Sequence, residues 1–66
     1  MKINVSKLDI AQAEKCFSNK ELCEKAKISL VTLVQIKANK RNCLPITVGK
    51  IAKALNIPVS ELVENE

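Results

Sequence analysis

A chain of 66 residues forms one small domain, residues 1–66, and a domain of that size buries only about 60% of the surface its unfolded chain exposes, so its core is thin. One Phe, no Tyr and no Trp make that core aliphatic, and a single Gly with two Pro argues against a turn-rich all-β fold. No His, and three Cys (Cys16, Cys23, Cys43) without C-x-x-C spacing, argue against a zinc site and against a disulfide framework. The net charge of +4 is modest, so the placement of the cations matters more than their sum.

The elements follow in chain order. Ser6 and Asp9 resemble a capping box, and Leu8, Ala11 and Ala13 make a weak apolar stripe, which predicts helix 1 over Ser6–Cys16. Phe17 interrupts the polar pattern as a core anchor. Ser18 with Glu21 is a cleaner capping box, and Leu22, Cys23 and Ala26 share one face of a short helix 2, Asn19–Ala26. Cys23 reads as a small packing residue.

The stretch Ile28–Arg41 is ambiguous at first sight, because Val31, Thr32 and Val34 favour strands. As a strand, however, it places apolar residues on both faces. As a helix, Leu33 and Ile36 point inward, Ser29 caps the start, and Thr32, Gln35 and Lys37 point out. Helix 3 is therefore expected over Leu30–Ala38, with Asn39 as a left-handed residue beyond it. Lys40–Leu44 is a loop that contains Cys43. Pro45 suits the first turn of helix 4, where Val48, Ile51, Ala52 and Leu55 form the strongest amphipathic pattern of the chain, ended by Asn56. Beyond Pro58, Val59–Glu64 is expected as helix 5. The sequence holds no signal peptide and no apolar run near the ~20 residues of a membrane span, which points to the cytoplasm.

The order of these elements describes an all-α bundle of five helices with a helix-turn-helix at helices 2 and 3. Over about two thirds of its length, Phe17–Val63, the chain resembles the phage repressor and Cro family, also called XRE-type regulators, which share the lambda repressor-like fold. The segments that carry the likeness are "FSNKELCEKAKIS", "TLVQI", "NKR" and "VGKIAKALNIPVSELVE".

The resemblance implies sequence-specific binding of double-stranded DNA in transcriptional regulation, most often repression, with helix 3 in the major groove. It implies base contacts from Leu30, Val31, Thr32 and Gln35, and phosphate contacts from Ser18, Asn19, Lys20, Lys40, Arg41 and Asn42. It also implies a weak homodimer through Val59, Leu62 and Val63; the competing expectation is that these three close the chain's own core.

Departures from the family pattern are specific. Leu30 and Val31 cannot hydrogen-bond a base and are limited to thymine methyl groups. An Arg–Glu pair usual between helices 1 and 3 is replaced by Gln12 and Lys37, expected as a weaker contact or an outward Lys37. Lys27 replaces a turn Gly, at a strain of roughly 1 kcal/mol. An alternative is a protein-interaction module, an antitoxin or anti-activator that docks a partner on the apolar face of helix 3. Catalysis is not expected, since no nucleophile is paired with a base, and neither cofactor, metal nor membrane is implied.

Overall fold

Polar residues fix where the helices begin. The computed structural model describes residues 2–38 and 43–64 and the backbone of residue 39. Asn4 caps α1 (Val5–Glu14) by accepting the Lys7 N–H at 3.1 Å, so the helix starts before the Ser6–Asp9 pair expected to cap it. Ser18 caps α2 (Asn19–Ala26): its Oγ accepts the Glu21 N–H at 3.1 Å while the Glu21 carboxylate accepts the Ser18 N–H at 3.1 Å. That reciprocal box satisfies two of the donors a helix start otherwise leaves open. Ser29 caps α3 (Leu30–Asn39), accepting the Thr32 N–H at 3.1 Å. Only α4 (Pro45–Leu55) begins without a side-chain cap, on Pro45, whose missing N–H is not needed there.

The ends of α1, α2 and α4 use left-handed residues, and none of them is Gly. Cys16, Lys27 and Asn56 have φ of 58°, 59° and 57°. After α1, Phe17 N–H reaches the Gln12 carbonyl and Cys16 N–H reaches that of Ala13; after α4, Ile57 and Asn56 bond to Ala52 and Lys53 in the same way. Both ends are Schellman closures, which place the next hydrophobic residue against the helix just finished. The left-handed Cys16 is why α1 stops at Glu14 rather than at Cys16. Asn39 is not such a terminator, because it continues α3 as its last residue.

One apolar cluster takes members from every helix: Leu8 and Ala11 of α1, Leu22, Cys23 and Ala26 of α2, Leu33 and Ile36 of α3, and Val48, Ile51, Ala52 and Leu55 of α4. α2 packs on both α3 and α4. Phe17 is half-buried against this cluster, with the Lys25 ammonium 5.8 Å from its ring centroid. Cys43, expected in an exposed loop, is instead half-buried against the same core.

The fifth α-helix is not formed. Four α-helices are followed by a three-residue 3-10 helix, Val59–Glu61. Beyond it Val63 forms an isolated antiparallel bridge with Ile3, flanked by Asn4 N–H to the Leu62 carbonyl and Glu64 N–H to the Lys2 carbonyl, both 2.9 Å. Pairing with residues 2–4 needs extended backbone, which a helix through Glu64 would forbid. Ile3 and Leu62 are sealed into the core by this closure.

Candidate nucleic-acid interface

Helix α3 presents two different faces. Leu33 and Ile36 are buried, while Leu30, Val31 and Val34 are 49%, 66% and 52% exposed. Gln35 and Ala38 are exposed beside them. At 100° per residue these five positions form one continuous outward arc, and Gln35 alone on it has a hydrogen-bonding side chain. Thr32 lies at the edge of the arc, half-buried, with its hydroxyl 2.7 Å from that of Ser29. It is thus tied into the helix cap rather than presented freely. Val34 is an addition to the expected contact residues. Its spacing, four residues after Leu30 and three after Val31, is the signal that places it on their side of the helix.

The start of α2 is the second part of the surface. Ser18, Asn19 and Lys20 are all exposed. The capping box uses the Ser18 and Glu21 N–H groups, which leaves those of Asn19 and Lys20 pointing past the helix end, where the dipole favours an anion.

Behind this start lies a polar network that joins three helices. Lys37 Nζ of α3 donates to Gln12 Oε1 at 2.8 Å and to Asn19 Oδ1 at 3.0 Å, and pairs with Asp9 Oδ1 at 3.1 Å. Gln12 Nε2 donates to the Phe17 carbonyl at 3.0 Å and to Asn19 Oδ1 at 2.9 Å. Lys37 therefore turns inward, against the outward placement its helical position suggested, and of the two arrangements expected for Gln12 and Lys37 the contact is the one made. Asp9 is the member that nothing in its local pattern places there.

Lys40, Arg41 and Asn42, expected to hold phosphates, lie outside the described residues. Leu62 is fully buried in the chain's own core, which removes it from the expected dimer contact; Val59 and Val63 are half-buried against the same core. Lys50 and Lys53 stand exposed on α4, where with Lys25 and Lys27 they rim a shallow groove of about 510 Å³.

Cys23 is buried with its Sγ 3.6 Å from the Ser29 carbonyl, and loss of solvent pushes its thiol above the ordinary value, opposed by the nearby Lys37 charge. It is a protonated packing group, not a nucleophile. No disulfide joins Cys16, Cys23 or Cys43, and among the described residues no group of His, Cys, Asp or Glu is gathered to hold a metal. No described helix is long and apolar enough to cross a membrane.

A family model described as helix-turn-helix matches residues 10–62. Among solved structures the chain is similar to the restriction-modification controller protein C.AhdI from Aeromonas hydrophila, with a TM-score of 0.78, 21% identity and 86% of each chain covered. At that identity the likeness speaks for the fold. Comparison with curated proteins gives no match.

Proposed function

The chain belongs to the XRE-type helix-turn-helix family of DNA-binding transcription regulators, and we propose that it reads double-stranded DNA with α3 in the major groove and represses transcription from the site it occupies. The observation that carries this is the outward arc of α3, where Leu30, Val31 and Val34 run up to the exposed, unbonded Gln35 at one end of the arc. In a major groove the apolar members meet thymine methyl groups and Gln35 reaches the N6 and N7 edge of an adenine, so the preferred half-site is rich in A·T pairs. Ser18, Asn19 and Lys20 hold one backbone segment through the start of α2. Lys40, Arg41 and Asn42 hold the next, and the protein acts in the compartment that contains DNA.

Repression asks only for occupancy of the site, which a DNA-binding domain of this size supplies by itself. Two half-sites one helical turn apart require a second copy. Val59 and Val63 are the members of the expected contact that retain exposed surface.

The same arc supports a second reading, a protein-interaction module of the antitoxin or anti-activator type, because exposed apolar surface also suits a protein partner. A salt series separates them. Binding to mixed-sequence duplex falls with log salt by about 0.9 per neutralised phosphate, close to three if Lys20, Lys40 and Arg41 each neutralise one. Absent or salt-insensitive binding favours the protein partner.

A further inference from the structure

We propose that Lys37 is a positioning residue for the backbone contact: it holds the Asn19 side chain with its NH2 group turned out toward the phosphate. This rests on the start of α2 lying against DNA.

The chemistry of the three partners fixes the orientation. An ammonium has three donors and no acceptor. Those of Lys37 meet Gln12 Oε1, Asn19 Oδ1 and Asp9 Oδ1 at 2.8, 3.0 and 3.1 Å, so no donor remains for a phosphate. Only the oxygen of each amide can face the ammonium. With Gln12 Oε1 turned to Lys37, Gln12 Nε2 faces the other way and donates to the Phe17 carbonyl and to Asn19 Oδ1. Asn19 Oδ1 thus accepts two donors, which occupy both its lone pairs. Its Nδ2, with two donors and no partner among the described residues, is left pointing away from the network at the first residue of α2. The same residue carries one of the two backbone N–H groups that the capping box leaves open, those of Asn19 and Lys20.

The groups left without a partner there are donors, since the Glu21 carboxylate and the Ser18 hydroxyl are engaged in the capping box, and the side chain that offers two of them is already held in one rotamer. An anion that binds does not have to freeze it, which is the advantage of preorganisation. Lys37 acts through Asn19 and touches no phosphate. Asp9 balances the Lys37 charge, so the contact is directed by geometry rather than by an added cation.

The test is a double-mutant cycle of duplex affinity on the full chain, with Lys37→Met and Asn19→Ala, each confirmed folded by circular dichroism at the assay temperature. Lys37→Met is expected to weaken binding to all sequences by about tenfold, within the range of coupled neighbours, and to be nearly silent in the Asn19→Ala background. The salt slope is expected to change by well under the 0.9 that loss of a direct phosphate contact gives.

A readout without DNA accompanies it. The side-chain NH2 of Asn19 is expected to be rigid by 15N relaxation in the native chain and mobile in Lys37→Met. Equal weakening by Lys37→Met with and without Asn19, a slope change near 0.9, or a mobile Asn19 amide in the native chain would each overturn the proposal. Native chain that binds no duplex removes the DNA-binding role itself. Native chain that binds while the cycle shows no coupling removes only the role of Lys37.

Discussion

Helices α3 and α4 are nearly equal in length, 10 and 11 residues, and both are rich in apolar side chains, yet they place them differently. α4 buries Val48, Ile51, Ala52 and Leu55 and turns Lys50 and Lys53 to solvent, with Ile46 in its first turn as its one large apolar residue left exposed. Folding alone explains the buried stripe. α3 buries Leu33 and Ile36 and then repeats apolar residues on its outer side, at Leu30, Val31 and Val34, each of them about half or more exposed. An apolar outer face on a helix already packed from behind is what a contact surface requires. Set side by side, the two helices separate apolar residues that build the core from a run of three apolar residues that the fold leaves open to solvent.

The contrast breaks most sharply at Leu33, which is fully buried. Leu33→Ala is expected to destabilise by about 2–5 kcal/mol, whereas Val34→Ser, one residue on, should stay within about 0.5 kcal/mol of the native chain. Urea melts of the two variants check this. Comparable losses would mean that the outer face of α3 is packed against something in the same chain.

A pair of smaller effects sharpens the comparison at the level of backbone. Lys27 holds a left-handed conformation suited to Gly, while the single Gly of the chain, Gly49, lies inside α4, where a methyl group on its Cα would have nothing within 4 Å. Lys27→Gly should raise stability by about 1 kcal/mol by relieving strain. Gly49→Ala should raise it by about 0.5–1 kcal/mol by restoring helix propensity. Both appear as higher thermal midpoints, and the two are far enough apart in role to add.

The smallest expected effect concerns pH. Burial raises the Cys23 thiol above its ordinary value of 9.0, so the unfolded chain ionises there first. The stability that Cys23 contributes is complete below that value and is lost as pH climbs toward the folded thiol's own pKa. Denaturation midpoints measured across that range should fall in the native chain and fall less in Cys23→Ala.

Much of this was legible where the signals are local. The bounds of α2 follow from Ser18 and Glu21 in the sequence, and the buried face of α4 follows from its i, i+3, i+4, i+7 spacing, because a cap and a periodic face are written within one or two turns. Two nearby polar residues blur the start of α1: Ser6 and Asn4 both suit a cap, and long-range pairing of residues 2–4 with the chain's end decides for Asn4. The same pairing unmakes the expected fifth α-helix. The Asp9–Lys37 ion pair joins residues 28 positions apart and leaves no local trace. On α3 the helical period finds the inner face but does not by itself single out Val34 as a contact. Thr32 reads as freely outward, since a hydroxyl tied into a cap looks the same in sequence as one that is not.

The most direct test of the claim that the outer arc of α3 reads bases is selection of bound duplexes from a random pool, run in parallel with the native chain and with Gln35→Ala. The native chain should enrich A·T-rich half-sites with one strongly preferred adenine, and Gln35→Ala should lose about 1–3 kcal/mol of preference at that single base pair while the flanking positions persist. Enrichment that is identical for both proteins, or no enrichment by the native chain at all, would contradict it.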